Sequence, residues 1–159
     1  KAKKDEKATK QDDAETVNRI LIFCMTKQKT DFVTQKLRED GWPALSIHGS
    51  RNQQEREWVI QEFKSGETPI MVATDVAARG LDIKDIKFVI NFDMPKEVET
   101  YVHRIGRTGR AQNKGNAISF FTPDNVYLAK SLIHLLQQSK HEVPPQLLKL
   151  KKLAKRNSR

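Results

Sequence analysis

The sequence holds a single cysteine among 159 residues, which excludes a disulfide framework. Cys24 lies inside an apolar run, so it reads as a buried strand residue rather than a nucleophile or metal ligand. The four histidines, His48, His103, His134 and His141, show no ligand spacing, and no metal site is expected in the chain. Long apolar stretches are also missing. The longest, residues 20–25, is far too short to cross a bilayer, and no charged segment followed by an apolar core opens the sequence. The expectation is a chain with no membrane contact and no export.

What remains is a one-domain length with 37% hydrophobic and 31% charged residues, enough to bury a core without covalent staples. The net charge of +9 is unevenly spread. Residues 140–159 carry +6 and residues 1–15 cancel, leaving +3 on the body. A polyanion partner fits this balance, but the excess is mostly a tail, so charge alone argues weakly for nucleic acid.

The densest chemistry is residues 101–110, YVHRIGRTGR, where His103, Arg104, Arg107 and Arg110 alternate with Gly106 and Gly109. Arginine's planar fork matches phosphate oxygens bidentately, and glycine permits tight turns or close approach to a ligand. Arg107 and Arg110 are three apart, so both can point one way from a helical or turn-like segment. Phosphate chemistry, a grip on nucleic-acid backbone and a solvated basic turn all remain open on spacing alone.

Patterning predicts alternating strands and helices. Residues 1–16 are charged and aperiodic and read as a linker or flexible lead. Residues 19–25, 44–47, 70–73, 88–92 and 117–121 have strand length, the first as a continuous apolar run that suits burial on both faces. Thr26 is placed to cap a helix ending at Gly41 with Phe32, Val33 and Leu37 inward. Ser50 opens a second helix, closed by Gly66, with Val59, Ile60 and Phe63 inward. Residues 96–104 form a short helix, and Thr122 with Pro123 starts a long one reaching about residue 139. This order argues for an α/β fold, an open parallel sheet of about five or six strands with helices on both faces. Ligands of such sheets sit outside the carboxyl ends of the strands. The polar runs at Thr26, His48–Gly49 and residues 74–82 are expected there, with the arginine stretch reaching the same edge.

Five strings, LIFCMT (21–26), HGSRNQQER (48–56), ATDVAARGLD (73–82), VINFDMP (89–95) and YVHRIGRTGR (101–110), resemble in order and spacing the motifs of the C-terminal RecA-like domain of DEAD-box ATP-dependent RNA helicases. The resemblance covers roughly residues 20–139, and its third and fifth strings are highly specific. It implies a RecA-like domain over residues 17–139, followed by a basic C-terminal extension over 140–159. It also implies RNA as partner, ATP and Mg²⁺ as cofactors, an N-terminal RecA-like domain of the same protein, and an intracellular location in nucleus or cytoplasm. By the same resemblance Arg107 and Arg110 are arginine fingers, and Gly80 and Asp82 contact the nucleotide. Thr26, Gly49, Gln53, Arg56 and Thr74 face RNA, and Asp75, Arg79, His103 and Arg104 have interdomain or structural duty.

Simpler readings stand beside some of these roles. Gln53 also suits a capping box with Ser50, Asp82 could cap the turn that follows it, and His103 and Arg104 could serve helix-end packing. No aromatic base-stacking platform is evident at the RNA edge, so backbone contact without base readout is expected. Ser50 departs from the aspartate or glycine more usual for the family. No GxxxxGK[ST] loop and no D-E-A-D run occurs, so the groups that grip triphosphate and Mg²⁺ are expected in the N-terminal domain. The other readings are a stand-alone RNA-binding module and a DNA-directed helicase domain of the same superfamily.

Overall fold

The chain was analysed as a computed structural model that describes residues 17–110 and 114–157. The first apolar run becomes β1 (Arg19–Phe23), whose alternating side chains enter two cores. Leu21 and Phe23 pack with Leu45, Ile47, Val59, Phe63, Met71 and Val89 on one side of the sheet. Ile22 and Cys24 pack with Val33, Ala44, Ile70 and Val72 on the other. Burial on both faces explains why the run shows no polar alternation. Burial also pushes the Cys24 thiol up to about 12, which leaves it inert at neutral pH.

The remaining strands are β2 (Ala44–Ile47), β3 (Ile70–Ala73), β4 (Ile86–Asn91) and β5 (Asn116–Ser119). All neighbouring strands pair in parallel, in the order β2-β3-β1-β4-β5. β1 is therefore central, and the chain departs from it first toward β2 and later toward β4. Helices cover both faces, as expected for the RecA-like arrangement. In chain order they are α1 (Lys27–Glu39), α2 (Gln53–Ser65), the one-turn α3 (Asp75–Ala78), α4 (Val98–Ile105), α5 (Ala129–Gln138) and α6 (Pro145–Asn157).

Several local expectations are corrected. On α1 the buried face is Thr30, Val33 and Thr34 with Leu37 beside them, a regular i, i+3, i+4, i+7 set that excludes Phe32, which is 57% exposed. Thr30 and Thr34 tolerate burial because each hydroxyl donates to the carbonyl four residues back, at 2.8 Å. The second helix is capped by Asn52 rather than Ser50. The Asn52 side chain accepts from the Glu55 amide at 2.9 Å and the Glu55 carboxylate accepts from the Asn52 amide at 3.0 Å. Gln53 is thus the first helical residue, with its amide on Glu57, and does not cap. The long helix expected from Thr122 starts as a 3₁₀ segment (Pro123–Leu128) and becomes α-helical only at Ala129.

The basic tail is anchored. Its helix α6 seats Leu147, 6% exposed, in a third cluster with Met94, Leu128, Ala129, Leu132 and Ile133. An amphipathic pattern beginning LLKL allows this because one leucine faces inward while Lys149 and Lys152 stay in water. Among the described residues no helix is long and apolar enough to cross a membrane.

Candidate functional site

Strand order lines up five turns at the carboxyl edge of the sheet: Gly49 after β2, Thr74 after β3, Thr26 after β1, Phe92 after β4 and Phe120 after β5. Adjacent turns are about 4.8 Å apart, the spacing of paired strands. Thr26 is the N-cap of α1, its hydroxyl accepting from the Lys29 amide at 3.2 Å. Thr74 holds the corresponding position on α3, but its side chain makes no capping bond and stays available. Gly49 is exposed, and an added Cβ would meet nothing within 4 Å, so the fold alone does not require glycine there. Arg56 is half-buried in the first turn of α2, and Gln53, the first residue of that helix, is exposed.

Behind this row sits Arg104, whose side chain is only 1% exposed. Its Nε and Nη2 donate to the two carboxylate oxygens of Asp75, each at 2.7 Å. Nη1 donates to the Asp93 carbonyl at 2.7 Å and to the Asn91 side chain at 3.1 Å, and the guanidinium lies 5.0 Å from the centre of the Phe23 ring. The planar fork thereby ties three strand ends together, because Phe23 ends β1, Asn91 ends β4 and Asp75 lies two residues past β3. Asp93 extends the tie: its carboxylate accepts from the Met25 amide at 2.9 Å and from Lys29 at 2.6 Å.

The arginine stretch does not end at this edge. Arg104 reaches it by pointing back along α4, as helical side chains do, but residues 106–110 emerge toward the amino ends of β1 and β4. Thr108 donates to the Ile86 carbonyl at 2.5 Å, and a cavity of about 210 Å³ is lined by Val17, Asn18, Ile86, Lys87, Arg107, Arg110 and Lys114. Helix α4, eight residues and so about 12 Å long, separates the two ends. Gly115 is required by space, since a Cβ there would collide with the Gly109 amide and the Thr108 hydroxyl.

Half-buried Arg107 donates from Nη1 to the Leu81 carbonyl at 3.1 Å, directly before Asp82. Arg110 is exposed, and among the described residues its side chain bonds from Nε to the Gly106 carbonyl at 2.8 Å. Arg79 and His103 are exposed and share with Arg107 a small cleft of about 90 Å³ beside Asp75 and Arg104. Arg79 joins no ion pair among the described residues. Gly80 has φ +73 with open space around a built Cβ, so backbone conformation is what demands glycine within this chain. Asp82 is exposed and lines a different cleft, with Arg19, Lys64 and Asp85. Arg107 and Asp82 are thus joined through the backbone at Leu81 rather than in one pocket.

Two clusters escaped sequence reading. Asp31, Ser46, His48 and Arg51 meet where α1, β2 and the start of α2 converge. His48 Nε2 donates to Asp31 at 3.0 Å while its Nδ1 accepts from the Ser50 amide at 3.3 Å, which fixes the tautomer. Partial desolvation raises the Asp31 pKa, but bonds from Ser46 and His48 and the Arg51 charge outweigh it, leaving the carboxyl below its ordinary value. The second cluster is aromatic. Phe92, read as the end of a strand, and Phe120, read as strand interior, each lie one residue past the observed β4 and β5 and are 37% and 53% exposed, so the carboxyl edge does carry aromatic side chains.

Comparison with known proteins gives a consistent set. Residues 4–112 match the family model described as the helicase conserved C-terminal domain. The chain is 58% identical over 132 residues to the ATP-dependent RNA helicase DBP2 of Candida glabrata, covering 83% of this chain and 24% of that protein. It is 59% identical over 130 residues to the DEAD-box ATP-dependent RNA helicase 20 of Arabidopsis thaliana, covering 82% and 26%. The chain therefore spans about a quarter of the length of these relatives. Among solved structures, the yeast DEAD-box splicing factor Prp28 superposes with a TM-score of 0.78 at 34% identity, over 86% of this chain and 31% of that one. The C-terminal domain of the DEAD-box protein Dbp5 superposes with a TM-score of 0.66 at 33% identity, over 81% and 73%.

Proposed function

Because this chain belongs to the DEAD-box ATP-dependent RNA helicases, as their conserved C-terminal helicase domain, we propose that it supplies arginine fingers and RNA-backbone contacts for RNA-stimulated ATP hydrolysis and duplex unwinding. Arg107 and Arg110 act on the triphosphate as charge develops during phosphoryl transfer, where fixed cations act most strongly. Asp82 accepts from the ribose hydroxyls and Gly80 leaves room beside them. Thr26, Gly49, Gln53, Arg56 and Thr74 hold RNA phosphates at the carboxyl edge. The observation that carries the reading is the bond from Arg107 to the Leu81 carbonyl, which locks a phosphate-seeking cation to the segment bearing Asp82.

The buried Arg104 links the two surfaces. It braces Asp75 beside Thr74 and Asp93 beside the Thr26 cap, and it lies three and six residues before the fingers. RNA seated on Thr26 and Thr74 would therefore favour one placement of Arg107 and Arg110, which is how binding at one edge could stimulate hydrolysis at the other. The grip on triphosphate and Mg²⁺ falls to the N-terminal RecA-like domain. Among the described residues there is no cluster of three or more His, Cys, Asp or Glu side chains placed to hold a metal ion.

Two measurements test this division of labour. The 159-residue chain alone is expected to hydrolyse no ATP above background, with or without RNA. Robust RNA-stimulated turnover by the isolated chain would overturn the assignment. The chain is also expected to bind single-stranded RNA weakly and without sequence preference. If about three to five phosphates are engaged, log K against log[salt] slopes at roughly −2 to −3.5, from about −0.7 per phosphate. The tail must be neutralised rather than cut, because truncation near Ser139 would remove Leu147 from the third core. In a background with Lys149, Lys151, Lys152, Lys155, Arg156 and Arg159 all changed to Gln, which leaves Lys140 against Glu142, Arg56→Ala should remove about one phosphate's worth of slope. Binding abolished by these glutamines and indifferent to Arg56→Ala would move RNA affinity to the tail.

A further inference from the structure

We infer that Phe120, backed by Phe92 and Lys29, is a base-stacking platform for single-stranded RNA that extends the phosphate track past Thr26, an inference that rests on the RNA-facing reading above. Phe92 follows β4 and Phe120 ends one residue beyond β5, on the same carboxyl edge as Gly49, Thr74 and Thr26. Phe120 is two strands beyond Thr26, about 10 Å along the edge at ordinary strand spacing. Lys29 connects the two regions. Its amide donates to the Thr26 hydroxyl, and its ammonium lies 2.6 Å from Asp93 and 5.6 Å from the Phe92 ring centre.

The two rings meet edge to face, with centroids 6.0 Å apart and planes at 80°. That geometry leaves ring faces uncovered. With Lys29 over Phe92, the open face is that of Phe120, which is 53% exposed. The backbone under both rings is held by the sheet: the Phe92 amide donates to the Phe23 carbonyl at 3.0 Å and the Phe120 amide to the Asn91 carbonyl at 3.1 Å. An exposed aromatic pair on a fixed backbone, with a lysine over one ring and a row of proposed phosphate contacts alongside, matches the chemistry of a nucleobase on its backbone. The Asp93 carboxylate does not repel that backbone, because Lys29 and the Met25 amide neutralise and occupy it.

The test is an oligouridine titration of the 159-residue chain at low salt, comparing wild type with Phe120→Ala, Phe92→Ala and Arg56→Ala, each checked for an unchanged thermal transition. An abasic residue is then scanned through the same oligonucleotide. Phe120→Ala should weaken binding about 5-fold or more while leaving the salt slope unchanged, since stacking releases no counterions. One abasic position should weaken wild type equally and abolish its difference from Phe120→Ala. If both phenylalanine variants bind as wild type while Arg56→Ala weakens binding, the platform is wrong and the RNA track stands, leaving the aromatic pair to a protein contact. If neither Arg56→Ala nor the phenylalanine variants change binding, the RNA-facing reading fails and this inference falls with it.

Discussion

Alanine at Arg107 or Arg110, in a full-length DEAD-box protein carrying this domain, is expected to lower kcat for ATP hydrolysis by about 100-fold or more, with ATP affinity much less affected. A 100-fold loss is about 2.7 kcal/mol of transition-state stabilisation, within the range of one well-placed cation in phosphoryl transfer. The two variants separate by structure. Arg107 is half-buried and holds the Leu81 carbonyl, so its loss also loosens the Asp82 segment and should raise KM modestly. Arg110 is exposed and, among the described residues, bonds within its own turn, so its loss should fall almost wholly on kcat. Lysine should rescue neither fully, because an ammonium cannot reproduce the fork. Steady-state kinetics with RNA saturating decides the matter. A raised KM with unchanged kcat at both positions would reassign the pair to ground-state binding.

The strands and the parallel sheet were legible because β1 and β3 are short continuous apolar runs bounded by polar turns, and such runs leave little choice once helices alternate with them. The motif residues were legible as strings for a different reason, since a specific string needs no geometry to be read. Geometry was where reading failed. Phe32 looks like a core residue until the helix phase is set by Thr30 and Thr34, whose polar side chains hide the buried stripe. Ser50 and Asn52 are both competent caps two residues apart, and the reciprocal bond with Glu55 decides between them. Phe92 and Phe120 read as strand residues because a strand's last paired residue is set by its neighbours' lengths, which no local pattern reports. The path of residues 106–110 to the opposite end of α4 depends on helix length and on Thr108 finding the Ile86 carbonyl, both properties of the assembled fold.

Arg104→Ala is expected to be the most destabilising single substitution in the domain, costing about 3 kcal/mol and lowering Tm by roughly 10 °C. Burying a guanidinium costs several kcal/mol of hydration, offset here only because Asp75, Asn91 and the Asp93 carbonyl satisfy its donors. Removing it leaves those acceptors unpaired and a cavity where a long side chain was. The Asp75 side chain is 29% exposed and can partly rehydrate, which favours the lower end of the 3–5 kcal/mol typical of a broken buried pair. The surface ion pair Lys36–Glu39 supplies the contrast, since its loss should be barely measurable. A double substitution, Arg104→Met with Asp75→Leu, should recover part of the loss by removing both charges, yet stay inactive in the full-length protein because the tie between the Thr74 and Thr26 turns is gone. Denaturant unfolding of the four combinations of these two positions measures their coupling directly. A loss under about 1 kcal/mol for Arg104→Ala, with RNA-stimulated hydrolysis intact, would mean that the strand ends hold their places without it and that the proposed route from RNA edge to arginine fingers does not pass through this residue.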